Sequence, residues 1–589
     1  MTRMKPWVAV LSTALLAVSA IGAPAVAARS NHPAANRWMV VAKSTADFGS
    51  LRSDIAAAGG RVVQELPDIN TFVVTGGTSV RNLATDAHAE SVAADHLETL
   101  IQPDGATVTP KLNRPQGAGG GTKLKVTPDP AMSLPGLMWN VNRIDAPAAW
   151  KVSTGSKAVT VGVADTGLDY THSELAGQVV HVEDFTGLEG TPTICQQIYA
   201  GTPDAMTDAD WAAKYGGPAN TDWNGHGSWI GGNIAAALDG LGINGIAPNI
   251  KLVSLKISQW CGSAYDSEIL AAFTYAANHG IDVVSISFGG YLDQSDPDQA
   301  AIYKQYVQTV QYAMRKGTLI VAAAGNEHVR VGAGGKVVSH GQLWTPGDTP
   351  DPINNPIDLY GLYETPGGIP GVIDVSSTGN VVNKPTANCD PGATPNLAEC
   401  KSTSDAHQPT AIGRENQLTY YSNYGPRIDV AAPGGARKFN LPVWDGGGTP
   451  GFPVTTSSTA AWEDFSITSD WALEIPCYFG LGPQFYPNDC YSTIQGTSMA
   501  TPHASAVAAL IASRNPQLRH NAYAIALLLK ASAKSISGNR TQPVSATDKS
   551  AADLTGVACP TGYCHLGGPA ISDRDAFGAG LVDAAGFGH

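Results

Sequence analysis

Three short glycine-bounded motifs carry side chains suited to nucleophilic chemistry. The first contains Ser498, in the octapeptide Gly496 to His503, which leads into an apolar stretch predicted to be a helix, Ala504 to Ser513. A hydroxyl at a helix N-terminus lies where backbone N–H groups and the helix dipole favour developing negative charge. Ser498 is therefore a candidate nucleophile. The alternative is that it only caps the helix, as serine often does.

Asp165 and His226 occupy the other two motifs. Asp165-Thr166-Gly167 follows an apolar run, and His226 stands between two glycines before a second helical stretch. A carboxylate, an imidazole and a hydroxyl are the three parts of an acyl-transfer triad. Taken alone, Asp165 is also consistent with a turn cap or with an aspartic peptidase. An aspartic peptidase needs two carboxylates that share a proton, and the sequence has no second Asp-Thr-Gly or Asp-Ser-Gly.

The elements that would position these side chains begin at Ala158, where apolar runs start to alternate with amphipathic helices. This alternation predicts an α/β fold with a mostly parallel sheet and helices on both faces. Active sites in such sheets lie beyond the C-terminal ends of the strands. Asp165 closes the first predicted strand, and Asn326 follows the strand Thr318 to Ala324. The other predicted strands are Ile250 to Ile257, Ile281 to Phe288, Val372 to Ser376 and Ile428 to Ala432; the helices are Ser267 to Asn278, Asp298 to Lys316 and Asn521 to Lys534.

The N-terminal region is typical of an exported precursor. Arg3 and Lys5 precede an apolar run from Trp7 to Ile21, and Ala25-Val26-Ala27 has the small residues that signal peptidase reads. Residues 1–27 are therefore predicted to be a signal peptide and the mature protein to be secreted and extracellular, without a membrane anchor, since the run is too short to span a bilayer comfortably.

Three further regions follow the signal peptide. Residues 28–102 show strand and helix patterns that predict a small α+β domain, whose last stretch, Ser91 to Leu100, fits either a strand or a helix. Residues 103–130 are rich in Gly, Pro and Lys and are predicted to be a linker that contains the maturation site. Residues 131–589 form the main domain, in which the Pro/Gly-rich segments 329–371, 380–417 and 436–491 are expected to be surface insertions.

Composition narrows the possible partners. The chain of 589 residues has a formal net charge of -14, which argues against binding nucleic acid or anionic membranes as the main function. Its eight cysteines are expected to form disulfides in an oxidising compartment. Short loops favour the pairs Cys389–Cys400, Cys477–Cys490 and Cys559–Cys564, leaving Cys195 with Cys261. A zinc site is the alternative, although the spacings are too unequal for a usual finger.

The motifs together resemble those of the subtilisin-like serine peptidases from about Trp139 to Val582. The matching stretches, besides Gly496 to His503, are Val163 to Asp169, Asn224 to Gly227, Gly245 to Pro248, Ser287 to Gly290 and Ala323 to Asn326. The chain order Asp, His, Ser is that of subtilisin. The resemblance implies a secreted serine endopeptidase, with an inhibitory N-terminal propeptide that makes the precursor a zymogen.

The resemblance also assigns roles to residues. Ser498 is the nucleophile, His226 the general base and Asp165 the residue that orients His226. Asn326 donates to the oxyanion. Ser287, Phe288 and Gly289 pair with an extended substrate, and Ala323 and Gly325 line the first specificity pocket. Because these segments contain no acid, we expect broad or apolar specificity.

Other consequences of the resemblance are open. Trp229 stands where the family usually has a second histidine, which bears on the shape of the active site. No cofactor is expected to be needed for catalysis. Calcium is common in the family, but no ligand loop matches here, so no metal residue is assigned. Protein or peptide substrates and the propeptide itself are the expected partners of a monomer. An esterase, or a catalytically inactive binding or scaffold protein built on the same fold, is the alternative.

Overall fold

The computed structural model describes residues 36–100, 139–239, 242–339, 358–380, 415–419, 421–435, 467–471, 490–536 and 571–586. Within these residues no helix is both long enough and apolar enough to cross a membrane. The predicted signal peptide and linker lie outside the described residues.

Residues 36–94 fold into an antiparallel four-stranded sheet in the order β2-β3-β1-β4, with two helices. We refer to residues 36–100 as the leader. Apolar side chains of the sheet and of the first helix, among them Val40, Leu51 and Phe72, form a hydrophobic cluster separate from the main core. The α+β pattern predicted for this region is present. Its elements are β1 Arg37–Ala42, α1 Phe48–Ala57, β2 Arg61–Leu66, β3 Thr71–Thr75, α2 Thr78–Arg81, β4 Ala89–Ala94 and β5 Leu97–Leu100.

The main domain contains an eight-stranded sheet in the order β15-β14-β12-β10-β6-β8-β7, with β16 also paired to β14. Every pair is parallel except β14 with β15. The predicted strands form the centre of this sheet, whereas the edge strand β7 was not predicted, because its side chains are half exposed and show no apolar run. Its strands are β6 Thr160–Asp165, β7 Val179–Asp184, β8 Lys251–Lys256, β10 Val283–Ile286, β12 Leu319–Ala323, β14 Ile373–Asn380, β15 Glu415–Leu418 and β16 Val430–Pro433.

Helices cover both faces of the sheet, giving the α/β architecture expected from the sequence. The longest of them, α9, has clear end signals: Asp296 caps its N-terminus, Pro297 occupies its first position and Gly317 ends it in a left-handed conformation. The helix that begins at Thr497 is buried along nearly its whole length and packs against sheet strands and α7. The helices are α3 Trp139–Arg143, α4 Ala146–Trp150, α5 Ile194–Ile198, α6 Asp208–Tyr215, α7 His226–Ala235, α8 Asp266–Asn278, α9 Pro297–Lys316, α10 Thr497–Arg514, α11 Ala522–Ala531 and α12 Asp573–Phe577.

A second, smaller sheet joins the leader to the main domain. Its order is β13-β11-β5-β9, so the last leader strand, β5, lies between two strands of the main domain. The main-domain strands are β9 Ser263–Tyr265, β11 Phe288–Leu292 and β13 Tyr363–Thr365. A further hairpin pairs β17 Ile467–Trp471 with β18 Cys490–Ile494.

Two expectations can be compared with this architecture. Cys195 and Cys261 form a disulfide, as predicted; each of the other three predicted pairs includes a cysteine outside the described residues. The expectation of a surface insertion at 329–371 is wrong for the described parts of this segment. Strand β13 belongs to the small sheet, and Val329, Val331 and Leu359 are buried in a local core.

Candidate active site

A buried hydrogen bond joins two of the predicted catalytic side chains. Nδ1 of His226 lies 2.8 Å from Oδ1 of Asp165, and both side chains are 1% exposed. Because a carboxylate only accepts hydrogen bonds, Nδ1 carries the proton and Nε2 presents its lone pair. Nε2 has no hydrogen-bond partner among the described residues. The arrangement fixes one tautomer of His226 and keeps its basic nitrogen available.

The turn after β6 meets the start of α7 at two glycines. A Cβ built on Gly227 would overlap the carbonyl oxygen of Gly167, so the backbones can approach this closely only without a side chain. The Gly227 N–H donates to Oγ1 of Thr166 at 3.0 Å. This contact fixes His226, the first residue of α7, beside Asp165 at the end of β6.

Asp222 supports the same junction and was missed by the sequence reasoning. Its Oδ1 accepts from the N–H groups of Asn224 and Gly225, at 2.9 and 2.8 Å, and from the Thr166 hydroxyl at 3.0 Å. Its Oδ2 accepts from both the N–H and the hydroxyl of Ser228. Burial raises the pKa of Asp222, whereas the hydrogen bonds from the backbone N–H groups lower it. Asp222 lies four residues before the first residue of α7, whose N-cap is Gly225, so the usual capping pattern in the sequence does not identify it.

Ser498 is the second residue of α10 and is buried. Its carbonyl accepts from the Ser287 hydroxyl at 3.3 Å, which connects the predicted nucleophile with the segment just before β11. Since Nε2 of His226 has no hydrogen-bond partner in the described part of the chain, the Ser498 hydroxyl is not hydrogen bonded to it in this structure. The helices that begin at His226 and Thr497 nevertheless pack against each other.

Asn326 is held by the residue that precedes Ser498. Its Oδ1 accepts from the N–H and from the hydroxyl of Thr497, at 3.0 and 2.8 Å. Because the oxygen end of the amide is fixed in this way, the Nδ2 end, which donates, is oriented away from Thr497. The side-chain amide of Asn326 is thereby positioned relative to the start of α10.

The segment predicted to bind an extended substrate is paired with the leader. Phe288 is opposite Leu100 and Gly289 is opposite Thr99 in an antiparallel ladder. On the other side of β5, the Leu100 N–H donates to the carbonyl of Gly262 at 2.8 Å. We call the space between β9 and β11 the groove. A strand bound between two others satisfies its backbone hydrogen bonds irrespective of its side chains, which is how strand addition binds peptides.

Two buried acids lie near the predicted specificity pocket, and sequence reasoning did not identify either. Oε2 of Glu327, two residues after Gly325, accepts from the Tyr291 hydroxyl at 2.6 Å. Glu364, on β13, has no hydrogen-bond partner for either oxygen among the described residues. Burial, and next the charge of Asp374, raises the pKa of Glu364 well above its usual range. Burial therefore favours the neutral form of Glu364.

Trp229, which replaces the usual second histidine of the motif, is a buried side chain. Its side chain is 0% exposed and belongs to the main hydrophobic core. The indole that replaces a histidine in this motif is thus a core residue of α7.

These features agree with the comparisons with known proteins. The model of the subtilase family of serine peptidases matches residues 156–588, so the chain belongs to this family. It is a subtilisin-like serine endopeptidase by family and by fold.

Individual serine proteases are also similar to this chain. Thermitase of Thermoactinomyces vulgaris is 26% identical over 374 residues, which cover 63% of this chain and 81% of thermitase. Fervidolysin of Fervidobacterium pennivorans is 25% identical over 499 residues, or 82% of this chain and 53% of fervidolysin. Among solved structures, the epidermin leader peptide processing serine protease of Staphylococcus aureus has a TM-score of 0.55 at 18% identity, with 93% of this chain and 96% of that chain covered. At this identity the structural match supports the fold alone.

Proposed function

We propose that the protein is a secreted endopeptidase in which Ser498 attacks the peptide carbonyl. His226 takes the Ser498 proton at Nε2 and returns it to the leaving amine, while Asp165 stabilises the imidazolium. Asn326 Nδ2 and the Ser498 N–H donate to the oxyanion. The observation that carries this assignment is the buried 2.8 Å hydrogen bond between Nδ1 of His226 and Asp165. Nε2, on the other side of the imidazole ring, has no hydrogen-bond partner within the ranges that the structure describes.

The leader acts as an inhibitor within the same chain. Strand β5 fills the groove where a substrate would pair with β11. The rest of the leader adds polar contacts outside the groove, including Arg81 with Asp298 at 2.9 Å and the Thr71 hydroxyl with Gln305 at 2.9 Å. A substrate must displace β5 to reach Ser498, so the uncleaved precursor is expected to be inactive.

The first specificity pocket favours apolar or small side chains. Ala323 and Gly325 contribute little bulk to its walls, and burial raises the pKa of the nearby Glu364, which favours its neutral form. Glu364 therefore does not provide the fixed negative charge that would select Arg or Lys. A peptide-library profile dominated by cleavage after Arg or Lys would contradict this preference.

Export is consistent with the disulfide between Cys195 and Cys261, because such bonds persist in oxidising compartments. Detection of the protein, shortened by its signal peptide, in the culture medium of a host that expresses the full sequence is the expected result. Retention in the cells would contradict the proposal.

A serine-directed fluorophosphonate probe tests the catalytic assignment. The mature protein should be labelled and should hydrolyse casein, and Ser498→Ala should abolish both. Ser505→Ala is a matched control, since Ser505 lies on the same helix and its hydroxyl only bonds the Thr501 carbonyl. A mature, folded protein that neither reacts with the probe nor cleaves casein would instead be an inactive subtilase-fold binding protein.

A further inference from the structure

Glu98 of β5 is an acidic side chain buried in the groove. It is 5% exposed, and its Oε1 accepts from the Thr365 hydroxyl of β13 at 3.3 Å. The other carboxylate oxygen lies over Gly290, where a Cβ would overlap it. The absence of a side chain at Gly290 therefore makes room for the end of the Glu98 side chain.

A second buried acid, Asp266, faces Glu98 from the start of α8. Oδ1 of Asp266 accepts from the Tyr306 hydroxyl at 2.5 Å. Oδ2 has no hydrogen-bond partner among the described residues. The Asp266 N–H donates to the carbonyl of His96, two residues before Glu98, at 2.9 Å, and the charge of Glu98 raises the pKa of Asp266. Two buried carboxylates this close repel each other, which favours a form in which the pair holds one shared proton.

The electrostatic surroundings favour the shared proton. Burial raises the pKa of Asp266 well above its usual range, and the charges of Glu98 and Asp95 add to this effect, whereas the Tyr306 hydroxyl opposes it. Arg37, the cation beside Asp95, is engaged by other partners.

Arg37 donates to Asp95 at 2.7 Å and to the Ser267 hydroxyl at 2.9 Å, and its guanidinium is 3.8 Å from Glu268. It also stacks over the ring of Tyr265, at 4.4 Å from the ring centre. Arg37 is thus paired with Asp95, and burial raises the pKa of Glu268 well above its usual range, so Arg37 does not serve as the partner of Glu98 and Asp266.

We propose that Asp266, Gly290, Tyr306 and Thr365 form a substrate subsite, here named the acid pocket, that selects a neutral carboxamide or carboxylic acid. Its preferred occupant is the side chain of Gln, or of Glu in its protonated form, at the substrate position that corresponds to Glu98. This inference rests on the proposed peptidase function and adds to it a determinant of specificity outside the first pocket.

Gln fits the donors and acceptors of the pocket without a change of protonation. Its Oε1 can accept from Thr365 as Glu98 does, and its Nε2–H can donate to Oδ2 of Asp266, the oxygen that otherwise lacks a donor. At a pH where the Glu side chain and Asp266 are both ionised before binding, a Glu side chain binds only with uptake of a proton. The affinity for a Glu peptide should therefore fall about tenfold for each pH unit above the pKa of the unbound carboxyl groups. This fall ends at the higher pKa of the pair in the complex.

A set of quenched fluorogenic peptides tests the pocket. The parent peptide has the sequence Leu-Glu-Thr-Leu-Ile-Gln, which is that of residues 97–102, and its second residue is varied to Gln, Leu or Lys. The ratio of kcat/KM for the Gln and Glu peptides is measured with the mature enzyme at pH 5.5 and pH 8, because a ratio cancels the pH dependence of the catalytic residues. Mass spectrometry confirms that all peptides are cleaved at the same bond.

The expected result is that Gln is preferred over Glu by about tenfold or more at pH 8 and that the preference becomes small at pH 5.5. Asp266→Asn should remove this pH dependence and raise the rate for Glu at pH 8, because an amide can donate to an ionised carboxylate. Asp204→Asn removes the same charge at an exposed site and should leave the ratio unchanged.

The outcomes separate this proposal from the peptidase assignment. Equal rates for Gln, Glu and Leu at both pH values, or a preference for Lys, would overturn the acid pocket while the enzyme remains a peptidase. Absence of cleavage of every peptide, together with absence of fluorophosphonate labelling, would overturn the peptidase function itself. If Asp266→Asn does not mature, the wild-type ratios alone decide the question.

Discussion

The N–H of Leu100 donates a 2.8 Å hydrogen bond to the carbonyl of Gly262, and Leu100 is also paired with Phe288. The leader therefore ends inside the groove, in contact with both of its walls. The residue before Phe288 is Ser287, whose hydroxyl bonds the carbonyl of Ser498. In an antiparallel ladder, each step forward along one strand is matched by one step back along its partner.

The register of β5 and β11 gives the first prediction. Extending this register by one residue on each strand, we predict that Ser498 cleaves the bond between Ile101 and Gln102, just before the segment 103–130 that the composition suggested for the maturation site. The released leader fragment should end at Ile101, as determined by its intact mass at early times after expression. A fragment that ends within 103–130 would show that another bond is cut first. The Ser498→Ala protein, which should remain uncleaved, is the control.

The second prediction separates the two roles of the Asn326 side chain. Loss of one oxyanion donor typically lowers kcat by about 10²–10³-fold. Asn326→Ala should show this loss and also lower the melting temperature, because it removes the acceptor of the two Thr497 hydrogen bonds. Asn326→Asp keeps an acceptor for Thr497 but has no N–H, so it should retain more stability while losing at least as much activity. Equal activity of the Asp variant and the wild type would refute the oxyanion role.

The third prediction concerns the contact between Gly227 and Gly167. Gly227→Ala places a methyl group against a backbone carbonyl that cannot rotate away. Overpacking of this kind typically costs about 1–3 kcal/mol and sometimes more, and we expect the upper end together with a loss of activity. Gly187→Ala serves as the control, since a Cβ there would have no atom within 4 Å. Thermal unfolding in the Ser498→Ala background measures both effects on stability without autolysis; a Gly227→Ala variant as stable as the control would contradict the argument.

The fourth prediction concerns Asp374, whose pKa burial raises to about 7. Because the carboxyl group has a lower pKa of about 3.9 when unfolded, folding favours its protonated form. Its contribution to stability is complete below that unfolded value and is lost as the pH rises towards about 7. Asp374→Asn, which mimics the neutral form, should therefore increase the urea midpoint at pH 8 much more than at pH 4. The measurement belongs in the Ser498→Ala background, and an equal change at both pH values would show that titration of Asp374 is not the cause.

The sequence predicted the parts of the site that are encoded locally. Asp165, His226 and Ser498 each lie within two residues of a glycine, at the end of a strand or at the start of a helix, and Asn326 lies shortly after a buried strand. Such signals can be interpreted without knowing what each segment contacts.

The remaining parts depend on contacts between distant segments. Strand β5 fits either a strand or a helix by sequence, since its partners β9 and β11 are far away in the chain. Glu98 and Asp266 are unremarkable acids until the groove brings them together, and Glu364 lies in a segment whose Pro/Gly content suggested a surface loop. Burial and pairing, which decide the chemistry of these acids, are properties of the folded chain.

The disulfide between Cys195 and Cys261 gives the groove a dependence on the redox state of the surroundings. Cys261 directly precedes Gly262, the residue whose carbonyl holds Leu100, and the bond ties this wall of the groove to α5. Thiol reductants would release that tie without touching Asp165 or His226. Under such conditions the enzyme should lose affinity for long peptides that need both walls, while small ester substrates, which contact little more than Ser498, continue to be turned over.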